Sequence, residues 1–229
     1  MNSLKSLFIL GLTAAVVGCA TPLKMELNKE AKSLDVTQNS VVLMSGRFSN
    51  PLKKTGGYQP QAFIVNVEKD VVKGSEDRLN FMVDAEGAQI SPEETRYLFR
   101  MMLPPGKYVI RGITGFAGVF PIRGNFFLPL HADIEVKPKS VVYIGQIEGK
   151  VRPRDEKINE FRAGSMIPLI DQSVTGFSVG TWDVNVNDAF EQDVTKFKRE
   201  FPVLAPVTIA KEMLPPFDRA KAQKWWEAN

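Results

Sequence analysis

From residue 41 onward the chain reads as short apolar or alternating runs, separated by clusters of Gly, Pro, Asn, Asp and Ser. Val41-Val42-Leu43-Met44 is a continuous apolar run stopped by Ser45-Gly46. Residues 61–67 alternate, with Ala62, Ile64 and Asn66 on one face and Phe63, Val65 and Val67 on the other. Residues 79–83 and 97–103 are two further short runs. Pro104-Pro105-Gly106 is the clearest turn. It feeds a run in which Tyr108, Ile110 and Gly112 share one face and Val109, Arg111 and Ile113 the other. Residues 125–136 read as a long extended segment, where Pro129 marks a sheet edge or a bulge. Lys137-Pro138-Lys139 turns the chain into a buried strand over 140–147, and residues 176–186 alternate again. Eight or nine short strands with almost no helix between them argue for a mainly β fold, an antiparallel β-sandwich. A parallel sheet needs a helix after nearly every strand.

The period changes after residue 187. Asp188 and Glu191 have capping-box spacing. Phe190, Val194, Phe197 and Phe201 then fall on one helical face, and Pro202 stops the run. This predicts an amphipathic helix over 188–201 that packs on the sandwich. A second short helix is expected over 218–226. The chain therefore divides into a sandwich over 41–187 and a helical appendix over 188–229.

The first forty residues follow other rules. Lys5 precedes an uncharged, mostly apolar stretch over 7–17 that ends in small residues. That is the pattern of an export signal, and it falls short of the roughly 20 residues needed to cross a bilayer. Val16-Val17-Gly18-Cys19 resembles the bacterial lipobox. The resemblance implies that residues 1–18 are a signal peptide removed by cleavage before Cys19. It also implies a diacylglycerol on the Cys19 thiol and a further acyl chain, such as palmitate, on its amine. One acyl chain anchors only marginally, and stable attachment takes two signals. Cys19 is the only cysteine of the chain. An exported protein cannot place it in an internal disulfide, so lipidation accounts for it. Ala20 stands where an Asp would imply inner-membrane retention, which by the same resemblance favours the outer membrane, facing the periplasm. Residues 19–40 are polar with weak periodicity and are expected as a tether.

The formal charge of +3 includes no block of like charges. The basic stripe of a nucleic-acid binder is absent. His131 is the single histidine, which argues against a His-based zinc site. No G-x-S-x-G elbow accompanies it, so a structural role is expected. Gly112, Gly115, Gly118 and Gly124 lack the Lys-Ser/Thr of a phosphate loop. No cofactor or metal is expected. Asp84 with Glu86, Glu93 with Glu94, and Asp155 with Glu156 sit in polar turns and read as solvated surface. Paired carboxylates are also what a glycan hydrolase uses.

Leu103-Pro104-Pro105-Gly106-Lys107-Tyr108-Val109-Ile110-Arg111 resembles the P-x-G-x-Y strand of small transthyretin-like sandwiches, a group that includes carboxypeptidase-regulatory-type domains and bacterial lipoproteins. Residues 134–145, a strand, a Pro turn and a strand with a central Tyr143, fit the same plan. The resemblance covers about 61–149 and leaves the strand-plus-helix unit over 176–202 outside. It implies a sandwich that binds or assembles without catalysis. Within it, Phe116, Val119, Phe120, Phe126 and Phe127 crowd a Gly-rich connection bordered by Arg123. They form either a long hairpin tucked onto the core or an apolar loop that docks a partner or lipid. Trp225-Trp226 beside Lys221 and Lys224 suits a membrane interface or packing on the domain. The expected function is a non-catalytic envelope lipoprotein, with the membrane as partner through Cys19 and an envelope protein as a further partner. The alternatives are a carboxylate-dependent hydrolase of peptidoglycan or glycan, and a lipid carrier with the Phe-rich loop as its mouth.

Overall fold

A computed structural model describes residues 22–53, 58–119, 122–165 and 175–229. Among these, two stacked sheets and two helices make a mainly β sandwich that does not close into a barrel. The five-stranded sheet runs β1 (Leu23–Lys24), β4 (Arg78–Met82), β3 (Gln61–Lys69), β7 (Gly106–Val119), β8 (Ile122–Val136). The six-stranded sheet contains β10 (Gly180–Asn187), β9 (Val141–Pro153), β2 (Ser40–Ser49), β6 (Thr95–Leu103) and β5 (Ala88–Ile90) in that order. β11 (Ala210–Lys211) also pairs with β9. The chain switches sheets at its sequence-marked turns. Pro104-Pro105 carries β6 across to β7, where the Tyr108 hydroxyl donates to the Pro104 carbonyl at 2.8 Å.

The pairing is not wholly antiparallel. β2 lies parallel to β9, as do β1 to β4 and β11 to β9. None of these partners is joined by a tight hairpin, so no short connection imposes opposite directions. The β7–β8 hairpin is also longer than the expected short strands. Its ladder runs from Gly106↔Val136 to Val119↔Ile122. A Cβ at Gly115 would collide with the Gln61 carbonyl oxygen, so close backbone approach accounts for that glycine.

Bulges revise two face assignments. The β3–β7 register shifts between Ala62 and Ile64, which turns Phe63 away from Val65 and Val67. A second shift, between Asn66 and Val67, leaves Arg111 as an extra residue on β7 and lets Ile110 and Ile113 both enter the core. A one-residue insertion swaps every later side chain to the other face. Pro129 lies on β8, which is an edge strand and is also bulged beside it, where His131 has φ +47°.

Two apolar cores result. Val42, Met44, Phe99, Ile110, Leu128 and Trp182 belong to the core between the sheets. Val41, Leu43 and Tyr143 face the other way and pack under α1 (Phe190–Glu200) with Phe197 and Phe201. A strand covered on both faces has no polar side, which is why residues 41–44 show no alternation.

Both ends differ from the divisions expected. Within the segment read as a tether, β1 joins the five-stranded sheet, Met25 and Leu27 are buried, and the Glu26 N–H donates to the Arg100 carbonyl at 2.9 Å. Two isolated apolar residues are too few to register as a period. The appendix is likewise part of the sandwich. Leu214 and Ala222 belong to the core between the sheets, and Trp226 packs against it. α2 (Arg219–Ala228) is capped by Asp218, which accepts the Lys221 N–H at 2.9 Å.

Candidate binding cleft

A charged residue on the apolar face of α1 locates the most developed polar site among the described residues. Asp193 lies three residues after Phe190 and four before Phe197, so helical geometry puts it on the buried stripe. It is 0% exposed. A buried carboxylate must be satisfied, and this one is held from four sides. Tyr143 donates its hydroxyl at 2.7 Å, Gln146 its amide at 3.5 Å, Lys196 its ammonium at 3.0 Å, and Ser45 its hydroxyl. Ser45 is on β2, and Tyr143 and Gln146 are on β9, so the cluster ties the helix to two strands. Burial first, and then the bonded Asp193 carboxylate, push the Tyr143 hydroxyl far above its usual value. Tyr143 therefore stays protonated and acts as a donor.

The cluster borders a cleft of about 320 Å³ between α1, β2 and the β5–β6 edge. Its rim carries Lys29, Arg47, Arg96, Lys196 and Arg199 against Glu86 and Glu200. Arg47 and Arg96 are direct cross-strand neighbours in the β2–β6 register. Like charges so placed repel. Glu94 bonds both guanidiniums. Burial pushes the Glu94 carboxyl up, but the hydrogen bonds from Arg47 and Arg96 outweigh it and hold the group below the usual range. Glu148 also lies 3.5 Å from Arg47 Nη1, and both guanidiniums stay about half exposed where they line the cleft. The sequence signals were present: an acidic residue inside an apolar helical stripe, and arginines at positions 47 and 96. What was missing was the register that opposes them.

Among the described residues, the expected docking side chains are divided between the two faces of the sheet. Phe126 is buried against Phe177 and Trp182, with both ring centres 5.3 Å away. Phe127 is half-buried under α2, 5.3 Å from the Trp225 ring. Phe116 and Arg123 lie on the outer face of the five-stranded sheet, with the guanidinium 5.3 Å from the ring centre. Val119 ends β7, paired with Ile122. Phe120 and Cys19 lie outside the described residues. Strict alternation along a continuous hairpin sends consecutive phenylalanines to opposite faces, so a crowded sequence is not a crowded surface. The carboxylate pairs do not act together either. Asp84 pairs with Arg100, Glu86 accepts the Lys29 N–H at 2.6 Å, Glu94 serves the two arginines, and Glu93, Asp155 and Glu156 are exposed.

His131 is buried, 3% exposed, with its ring 4.9 Å from Trp225 of α2. Its Nε2 has no hydrogen-bond partner among the described residues. Burial, and then the Arg111 and Lys221 charges, pull its pKa down to about 4. The folded protein thus favours neutral His131, whereas the unfolded chain takes up a proton near pH 6.5. Its effect on stability is absent above pH 6.5 and becomes a growing loss as pH falls toward 4, reaching at most about 3 kcal/mol. The variant His131→Asn, which suits positive φ, is expected to show a shallower acid limb in urea titrations between pH 7 and 4. Parallel limbs for the two proteins would refute this.

No protein-family model, curated protein or solved structure matches this chain.

Proposed function

We propose that this protein is a lipid-anchored envelope lipoprotein, held at the outer membrane through Cys19, whose sandwich is a non-catalytic binding module with the cleft beside α1 as its ligand site. The observation that carries the binding role is the Arg47–Arg96 pair bridged by Glu94 at the mouth of that cleft. Two forked guanidiniums side by side suit a carboxylate or phosphate group, so the ligand is an envelope molecule or protein that presents one. The lipobox resemblance and the solitary cysteine support the anchor. The non-catalytic reading is supported by the inward direction of the polar cluster, where the Ser45 and Tyr143 hydroxyls are both spent on Asp193.

A photo-crosslinking residue placed at the exposed cleft position Gln192 tests this in intact cells. An adduct with an envelope component is expected. Changing Arg47→Gln together with Arg96→Gln should weaken capture at least about tenfold, because each charged hydrogen bond contributes about 1.5–3 kcal/mol and 1.4 kcal/mol is tenfold. Cys19→Ala should abolish acylation of the chain, read by mass spectrometry of its N-terminal fragment. No adduct, or one indifferent to both arginines, would remove the cleft as the binding site.

A further inference from the structure

We infer that the outer face of the five-stranded sheet, around Phe63, Met82 and Phe116, rests on the membrane that carries the Cys19 lipid. The inference depends on the lipid-anchor reading above, and three observations support it.

The first is the face itself. The bulge in β3 turns Phe63 outward, 47% exposed, with its ring 6.2 Å from Phe116. Met82 is 38% exposed. Cross-strand register aligns Lys24, Met82, Ile64, Thr114 and Phe127 in one row over all five strands. Adjacent outward apolar side chains of this kind mark interaction surfaces. The outer face of the opposite sheet is covered by α1, whereas here, among the described residues, α2 packs at the β8 edge, on Phe127 and His131.

The second is chain length. β1 begins at Leu23, four residues beyond Cys19. Four residues reach at most about 14 Å. Strands lie about 4.8 Å apart, so β3 and β7 stand roughly 10 and 14 Å from β1. A lipid on Cys19 therefore holds the sheet edge about one domain radius or less from the headgroups, and the apolar residues lie within the same span. A tether over 19–40 would have left the orientation free. Because the chain enters the sheet at residue 23, that freedom is narrowed to what a four-residue link allows.

The third is charge. Lys24 begins that row, in which Met82, Ile64 and Phe127 are apolar, and Arg123 stands over Phe116; both cations are exposed. Cations flanking apolar side chains suit an anionic interface, where the rings enter the headgroup layer and the charges remain at its surface. The α1 cleft, on the opposite face, then points away from the membrane.

The only native thiol is consumed by lipidation, so an introduced cysteine can be labelled alone. The full chain, carrying Phe63→Cys or, on the opposite face, Thr195→Cys, is purified from membranes, labelled with a fluorophore and reconstituted into phosphatidylethanolamine–phosphatidylglycerol vesicles containing a spin-labelled lipid. Mass spectrometry of the N-terminal fragment reports the acyl chains. With the lipid present, the label at 63 should lose most of its emission to the lipid quencher, while the label at 195 keeps it. A lipidated protein with no quenching at 63 overturns the membrane face and leaves the anchor standing. A label at 63 shielded from an aqueous quencher but untouched by the lipid one places a second copy or a protein partner there, and also overturns it. An N-terminal fragment without acyl chains overturns the anchor reading and this inference with it.

Discussion

Replacing Arg100 with alanine is expected to cost about 3–5 kcal/mol of folding stability, seen as a large fall in the urea midpoint. Arg100 is 1% exposed, yet its side chain crosses the second core and binds in several directions. Nε donates to the Glu26 and Leu27 carbonyls at 2.8 and 2.9 Å, Nη1 donates to the Leu98 carbonyl at 2.8 Å, and Nη2 pairs with Asp84. The guanidinium also lies 4.2 Å from the centre of the Phe201 ring. Alanine would leave the buried Leu27 carbonyl bond and the part-buried Glu26 and Leu98 ones unmade, at about 1–3 kcal/mol for each buried group left unsatisfied, and would remove the packing of the long stem. Burial pulls the guanidinium below its usual pKa, and the Asp84 charge opposes that pull. Asp84 itself is partly open to water, 37% exposed, so Asp84→Asn should cost less than Arg100→Ala. If the two variants matched, the backbone carbonyls would have no share in the effect. The same residue fastens the segment around Glu26 and Leu27, so Arg100→Ala should also make that segment the first site cut in limited proteolysis.

Trp182→Ala is expected to be comparably damaging, about 3–5 kcal/mol, by lost burial and the cavity left behind. Trp182 is fully buried on β10. Its ring meets Phe126 edge-on at 5.3 Å and stacks on Phe177 at 6.0 Å. Its carbonyl accepts from Arg219 at 2.6 Å, which joins the strand to α2. The indole N–H has no acceptor among the described residues. A buried donor without a partner lowers stability, so Trp182→Phe gives up volume but relieves that defect and should cost under about 1.5 kcal/mol. Circular dichroism under urea separates the two outcomes. Equal losses for Ala and Phe would show that the indole N–H does find a partner in solution.

The legible parts of the fold were those set by local chemistry. The turns at Pro104-Pro105-Gly106 and Lys137-Pro138-Lys139 restrict the backbone whatever surrounds them. The stripe of α1 required only a surface to cover, but the capping box expected at Asp188 and Glu191 does not form: Ala189 is the N-cap and has no side-chain cap, and Asp188, one residue earlier, accepts the Phe190 N–H at 3.2 Å. The illegible parts depended on long-range pairing. Nothing near Phe63 announces that the opposite strand skips a residue there. Nothing near Arg47 announces Arg96 across the ladder, and the two met only because β2 and β6 paired in that register.

Residue order alone accounts for the mainly β class and the positions of the turns and both helices, because each depends on neighbours a few positions apart. The tertiary structure decided that the chain joins the sheet at residue 23, which phenylalanines face outward, and how Asp193 came to be enclosed by Ser45, Tyr143, Gln146 and Lys196. These depend on register and bulges, where one residue of slip exchanges the two faces of a sheet. Alternation along a strand can say that two faces exist, but only its partners select which one is buried.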